Sequence, residues 1–86
     1  MIYKITIKKS ALKEIQELPK PYVQKITSAI DALSQNPRPV SSKKLKGEEE
    51  YIWRIRVGDY RVLYIIEDVI KIVDIRKVGH RKDVYE

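Results

Sequence analysis

The hydrophobic periodicity of this 86-residue chain predicts an α+β fold, with a helical hairpin over one face of a largely antiparallel sheet. Three observations support the prediction: an alternating N-terminal segment, two segments with helical spacing, and a return to period two from residue 51 onward. Prolines and glycines separate these segments. The length suits one modest hydrophobic core, so a single domain over residues 1–86 is expected.

The N-terminal half predicts one strand and two helices. Apolar and polar residues alternate over residues 2–8, which is typical of a half-buried strand. Ser10 is a favourable N-cap for a first helix that ends at residue 18, and Pro21 suits the first turn of a second helix. The second helix, which ends at Asn36 and Pro37, has apolar residues at helical spacing. These residues are Tyr22, Val23, Ile26, Ala29, Ile30 and Leu33.

The C-terminal half predicts a meander of three strands. Residues 38–50 combine prolines, serines, lysines and glutamates, so a long surface loop is expected there. Gly58-Asp59 is a two-residue hairpin signal between strands over residues 51–57 and 60–66. Glu67-Asp68 predicts a second turn with weaker turn chemistry, followed by a third strand over residues 69–77 that Gly79 breaks. With the N-terminal strand, these strands are expected to form one sheet.

The predicted hairpin brings three arginines together on one face of the sheet. With Gly58 and Asp59 as the loop, Arg56 stands directly opposite Arg61, and Arg54 lies two residues away on the same face. We call Arg54, Arg56 and Arg61 the arginine face. The opposite face, under the helices, receives the apolar side chains Trp53, Ile55, Val57, Tyr60, Val62 and Tyr64.

Like charges directly opposite each other destabilise a sheet, so the arginine face suggests an anionic ligand. Arginine binds phosphate bidentately and keeps its charge through proton transfer, which favours a phosphate group. The alternative is a solvated face that acidic residues partly balance. It has some support, because a two-residue loop at Glu67-Asp68 would place Asp74 opposite Arg61.

The composition points to an anionic partner and excludes several kinds of site. Lys and Arg number 18 against 12 Asp and Glu, for a net charge of +6, which suggests nucleic acid. No cysteine is present, which excludes disulfides, thiolate zinc sites and thiol nucleophiles, and one histidine excludes a His-rich metal site. The longest apolar run, residues 62–66, is far too short to span a bilayer, and the N-terminus resembles no signal peptide. The cytosol is therefore the expected compartment.

Further candidate residues flank the hairpin. Lys43, Lys44 and Lys46 on the expected loop contact a phosphate backbone in one interpretation and serve only solubility in the other. The end of the third strand could bring His80, Arg81 and Tyr85 near the arginine face. Beside a phosphate, His80 would be a general acid or base candidate, although a lone histidine is more often an ordinary surface residue. Tyr85 either anchors the C-terminal tail or stacks on a base.

Several short motifs occur along the chain in a specific order. They are Ser10-Ala11-Leu12-Lys13-Glu14, Asn36-Pro37-Arg38, Lys44-Leu45-Lys46-Gly47, residues 53–64, Val78-Gly79-His80-Arg81 and Tyr85. In this order and spacing, over essentially the whole chain, they resemble the RelE branch of the RelE/ParE toxin superfamily. That superfamily supplies the toxin half of bacterial and archaeal toxin–antitoxin pairs.

The resemblance implies a cytoplasmic endoribonuclease that enters the ribosomal A site and cuts mRNA there. It implies no metal or other cofactor: the ribose 2′-hydroxyl attacks the adjacent phosphorus and leaves a cyclic phosphate. It also implies a RelB-like antitoxin as partner, besides the ribosome and mRNA.

The resemblance also implies roles for individual residues. Arg54 and Arg56 occupy two basic positions where relatives often have lysine, and both would stabilise the phosphorane electrostatically. Arg61 matches a phosphate-binding arginine and Arg81 an arginine tied to the leaving group. Tyr85 matches a C-terminal tyrosine that stacks on or orients the nucleotide. His80 lies where relatives have either a histidine acid or a lysine, so its role stays open.

Two other functions remain open from the sequence. A ParE-like toxin would bind and poison DNA gyrase without cutting RNA, and it would not need the basic triad, Arg81 and Tyr85. A toxin-like domain without activity would only bind its antitoxin in transcriptional autoregulation. The two arginines at the positions where relatives often have lysine keep this last alternative open.

Overall fold

The computed structural model describes residues 2–46 and 51–84, and in these ranges it shows two helices on one face of a five-stranded sheet. The strand order is β1-β5-β4-β3-β2, with β1 parallel to β5 and the other neighbours antiparallel. The α+β prediction is therefore confirmed, with one more strand than expected. The elements are β1 (Lys4–Ile7), α1 (Lys9–Gln16), α2 (Lys20–Ala32), β2 (Lys43–Lys46), β3 (Tyr51–Val57), β4 (Tyr60–Glu67) and β5 (Ile72–His80).

The two helices form the predicted hairpin, although the first starts earlier than expected. Pro21 lies in the first turn of α2, as predicted. The prediction of Ser10 as N-cap of α1 is wrong, because the N-cap is Lys8, which makes no side-chain capping hydrogen bond. The backbone explains the difference: the Lys8 N–H donates to the Ile75 carbonyl at 2.9 Å, and the Lys8 carbonyl accepts from Leu12 at 2.9 Å. Lys8 thus ends the pairing with β5 and starts the helix.

Part of the expected loop over residues 38–50 is a strand, so that prediction is wrong. Residues Lys43–Lys46 form β2 and pair antiparallel with β3, with Lys43 opposite Arg54 and Lys44 opposite Trp53. This edge strand consists of three lysines and one half-buried leucine. Lysine is common on exposed edges because it discourages pairing with other chains, and such a strand shows little apolar alternation. Residues 47–50 of the expected loop lie outside the described residues.

The first hairpin has the predicted register, and the second does not. Arg56 pairs with Arg61 across the Gly58-Asp59 turn. The second turn spans residues 68–71, with Lys71 at φ 55°, and β5 then runs to His80, so Gly79 lies inside the strand and does not break it. Because of this longer turn and a bulge in the β4–β5 pairing beside Leu63, Arg61 stands opposite Gly79. The expected pairing of Arg61 with Asp74 is therefore wrong.

The core lies between the helices and the face of the sheet opposite the arginines. Its members include Ile26, Ile30 and Leu33 from the helical side and Ile55, Val62, Tyr64, Val73 and Ile75 from the sheet. Burial of each such side chain stabilises the fold by roughly 1.5–3 kcal/mol. The Tyr64 hydroxyl donates to the Pro37 carbonyl at 2.7 Å, and burial raises the pKa of Tyr64 to about 12.

An ion pair joins the β4–β5 turn to the segment after α2. The Arg38 guanidinium contacts both Asp68 carboxylate oxygens, with Nη2–Oδ2 at 2.7 Å and Nη1–Oδ1 at 3.2 Å. The Tyr3 hydroxyl donates to Asp68 Oδ1 at 2.7 Å. The hydrogen bonds from Arg38 and Tyr3 lower the pKa of Asp68 to about 2 from its ordinary 3.8. Arg38, part of a motif in the sequence, therefore has a role in the fold.

We expect Asp68 to make stability depend on acid pH. Its lowered pKa means that its contribution is fully present above pH 3.8 and is lost as the pH falls through about 2. In urea unfolding, Asp68→Asn should be less stable than the parent at pH 5, and the difference should shrink toward pH 2. Asp31→Asn, at an exposed position of α2, is the control. A difference that stays constant over this range would contradict the assignment.

Candidate functional site

The arginine face lies on the side of the sheet away from the helices, as predicted. Arg54 and Arg61 are buried, with exposed fractions of 4% and 9%, whereas Arg56 is exposed. Burying a cationic side chain costs free energy unless polar groups or charges compensate it. A face of merely solvated arginines therefore does not describe Arg54 and Arg61.

Arg56 stands where the sheet edge is open. β2 covers β3 only from Tyr51 to Arg54, so Arg56 lies beyond the end of the edge strand. The residue also lines a cavity of about 320 Å³ between the C-terminal half of α2, residues 39–41 and β3. Arg56 is thus the member of the arginine face most accessible to a large ligand.

The turn of the first hairpin holds Arg61 and Arg81 at the same end of the sheet. Arg61 Nη1 lies 3.3 Å from the Tyr60 carbonyl and 3.5 Å from that of Gly58, so its guanidinium bends back toward the turn. The Arg81 N–H donates to the Asp59 carbonyl at 2.7 Å, and Arg81 Nε lies 3.9 Å from Asp59 Oδ1. The end of β5 therefore does bring Arg81 to the hairpin that carries Arg61.

His80 packs on the other side of the sheet. It pairs with Tyr60, whose side chain faces the helices, and its ring lies edge-on to the Tyr60 ring with centroids 5.6 Å apart. Tyr60 in turn packs against Tyr22 at 4.7 Å, and His80 Nδ1 accepts a hydrogen bond from the Lys82 N–H at 3.1 Å. The expectation that the strand end brings His80 toward the arginine face is not met, and its role as an acid or base stays a prediction.

The register of β2 divides the three candidate lysines between the two faces. Lys43 stands opposite Arg54 and so joins the arginine face. Lys44 and Lys46 point to the other face, where Lys44 Nζ lies 4.0 Å from the centroid of the Tyr51 ring. Period two within residues 43–46 is the signal that would have separated them, had the segment been identified as a strand.

A contact between Gly79 and Val84 was not predicted from the sequence. Gly79 pairs with Arg61, and Val84 is buried beside Gly79 on the arginine face. A glycine inside a strand often marks such a close approach, and this is the signal that was available. Tyr85, the neighbouring candidate residue, lies outside the described residues.

The described part of the chain holds neither a metal-binding cluster nor a membrane-spanning helix. Residues 2–46 and 51–84 contain no group of three or more histidine, aspartate or glutamate side chains placed to hold a metal ion. Neither helix is long and apolar enough to cross a membrane.

The chain is similar to known toxins over nearly its whole length. The family profile described as the ParE toxin of type II toxin–antitoxin system, parDE, matches residues 5–85. A Methanocaldococcus jannaschii toxin candidate named RelE1 is 34% identical over 89 residues, covering 100% of this chain and 98% of that protein.

Solved structures give the same relationship. The RelE–RelB complex from Pyrococcus horikoshii superimposes with a TM-score of 0.84 at 32% identity, covering 98% of this chain and 100% of that chain. The RelBE2 toxin–antitoxin complex from Mycobacterium tuberculosis gives 0.81 at 29% identity, covering 94% and 100%. From the profile match and the similarity to the archaeal proteins, this chain belongs to the RelE/ParE family of type II toxins.

Proposed function

We propose that this toxin is a ribosome-dependent endoribonuclease that cuts mRNA in the A site without a metal or other cofactor. The observation that supports the proposal is the arginine face, where Arg56 and Arg61 are direct cross-strand partners and Arg54 lies beside them. Three adjacent guanidinium groups are well suited to bind a phosphate of RNA, because each can donate two hydrogen bonds to it and each carries a positive charge.

The proposed reaction is attack of a ribose 2′-oxygen on the adjacent phosphorus. The new P–O bond forms a cyclic phosphate as the bond to the 5′-oxygen breaks, and the proton lost by the 2′-hydroxyl is balanced by one delivered to the 5′-oxygen. Negative charge develops on the phosphorane oxygens, and the arginine face would stabilise it electrostatically. Arg81, held at the same hairpin turn, would interact with the 5′-oxygen as it leaves.

The arginines leave the proton transfers to other groups. A guanidinium does not deprotonate in proteins, so neither Arg54 nor Arg56 is a general base. We propose Tyr85 as the group that orients the nucleotide, and His80 as an acid or base only if the bound RNA reaches the helix-facing side of the strand end.

We also propose that the chain binds a RelB-like antitoxin in the cytoplasm. The Pyrococcus horikoshii and Mycobacterium tuberculosis structures are toxin–antitoxin complexes. An antitoxin that covers the arginine face would exclude RNA from it. Co-expression with the product of the neighbouring gene, followed by co-purification, tests this part of the proposal.

One competing function has a specific observation in its favour. The matching family profile is named for ParE and parDE, and a ParE-like toxin would inhibit DNA gyrase. A gyrase supercoiling assay distinguishes the two, because the endoribonuclease should leave supercoiling unchanged. A domain without activity, which only binds its antitoxin, would be negative in both assays.

The direct test is primer extension on mRNA in translating ribosomes, with and without the toxin, beside a matched ribosome-free reaction. We expect cuts within the A-site codon only when ribosomes are present. Absence of cuts by folded protein in both reactions would contradict the proposed activity, and the supercoiling assay would follow.

Arg61→Ala should lower the cleavage rate on the order of 10²–10³-fold, the usual cost of removing one electrostatic donor from a transition state. The variant should stay folded by circular dichroism, because it relieves the repulsion between paired arginines and leaves the core on the other face of the sheet intact. Arg76→Ala, which removes a guanidinium paired with Asp74 in β5 and away from the three arginines, is a matched control. Full cleavage by Arg61→Ala would show that the site is misplaced.

Lys43→Ala should weaken RNA binding more than Lys44→Ala does. Both variants remove one charge from β2, but only Lys43 shares a face with Arg54. Fluorescence anisotropy with a short single-stranded RNA at several salt concentrations measures the difference. The slope of log affinity against log salt should fall in magnitude by about 0.7 for Lys43→Ala. Equal effects of the two variants would mean that the two faces contribute alike.

A further inference from the structure

The chain turns back sharply after β5 and is fixed there by backbone hydrogen bonds. The Arg81 N–H donates to the Asp59 carbonyl at 2.7 Å, and the Asp83 N–H donates to the His80 carbonyl at 2.8 Å. These bonds tie residues 81–84, which we call the tail turn, to both the end of β5 and the turn of the first hairpin. Val84, the last residue of the tail turn, is only 4% exposed.

Val84 occupies the space that a side chain at position 79 would need. A Cβ atom built on Gly79 would lie 2.8 Å from Val84 Cγ2, closer than real Cβ contacts allow. Gly79 pairs with Arg61, so that space lies on the arginine face.

Position 79 requires glycine because Val84 leaves no space for a side chain there, and not because of the backbone conformation. Gly58 has a positive φ, as its turn requires, whereas Gly79 does not. An L-residue could therefore adopt the Gly79 backbone, and among the described residues the obstacle to its Cβ is the Val84 side chain. The Val84 side chain thus fills the space above Gly79, which we call the Gly79 notch, and packs the tail turn against the sheet.

We propose that Val84, seated in the Gly79 notch, is a positioning residue that holds the tail turn and Arg81 against the arginine face. Val84 does not itself contact RNA in this proposal; it acts through Arg81, whose backbone and side chain both contact Asp59. The effect on cleavage rests on the proposed function. The docking of the tail turn is independent of it and is measured separately.

The test exchanges volume across the contact in three variants: Gly79→Ala, Val84→Ala and the double variant. In Gly79→Ala, Val84 must withdraw by about 0.6 Å to reach an ordinary separation of 3.4 Å. Because displacements near 1 Å cost up to about 10²-fold in rate, we expect on the order of a tenfold loss of maximal cleavage rate, with less change in the ribosome concentration that gives half that rate. In the double variant the clash is gone, so most of the rate lost by Gly79→Ala should return.

Amide hydrogen exchange measures how firmly the tail turn is held against the sheet, and it requires no RNA. Gly79→Ala should speed exchange at Arg81 and Asp83, whose N–H groups bond Asp59 and His80, while amides in the centre of β4 keep their protection. The double variant should slow exchange again. Val69→Ala, a matched valine truncation at a position that is 96% exposed, should leave both exchange and cleavage unchanged.

Each outcome bears on the proposal. Recovery in the double variant by both readouts supports it. Additive losses, with the double variant worse than either single one, or Gly79→Ala with unchanged exchange and rate, would overturn it. If Gly79→Ala fails to fold, Val84→Ala alone must speed exchange at Arg81, or the proposal fails. If the wild type never cuts RNA, the proposed function fails, and the exchange data alone decide the docking of the tail turn.

Discussion

The two-residue turn at Gly58 and Asp59 decides which face each side chain of β3 and β4 takes. Because strand side chains alternate with period two, a slip of one residue would move every side chain of a strand to the other face. The observed register places Ile55 and Val62 in the core and pairs Arg56 with Arg61 on the far side. The core and the candidate site are therefore specified by one local choice, and the hydrophobic effect on one face holds the cations together on the other.

Placing arginines opposite each other for phosphate binding costs the sheet some stability. Paired like charges on a sheet are unfavourable by roughly 0.2–1 kcal/mol, whereas each core side chain on the other face contributes about 1.5–3 kcal/mol. The core can therefore tolerate the repulsion with a small loss. Rigid strands also suit the chemistry, because guanidinium groups that are already in place need not reorganise as charge develops on a phosphorus centre.

The local features of the fold could be predicted from sequence, and the non-local ones could not. Gly58-Asp59 is a strong turn signal between clearly alternating strands, so the first hairpin and the three arginines followed from it. The second turn gave no such signal, because Lys71 adopts a positive φ that favours glycine or asparagine. The lysine-rich β2 gained its strand structure from pairing with β3, and that pairing is what assigned Lys43 to the arginine face. The burial of Arg54 and Arg61 depends on how distant segments pack, which no local pattern records.

The contact between Val84 and Gly79 of β5 adds a second packing constraint beside the hairpin. Gly79 has no side chain opposite Arg61, and Val84 fills that position from five residues further along the chain. The tail turn thereby lies against the hairpin turn, and Arg81 reaches Asp59 beside the bend of the Arg61 guanidinium. The apolar contact between Val84 and Gly79 thus brings the charge of Arg81 close to that of Arg61. A site built this way depends on close packing as much as on its cations, because a shift of the tail turn would move Arg81 while leaving Arg54, Arg56 and Arg61 where the register of the hairpin holds them.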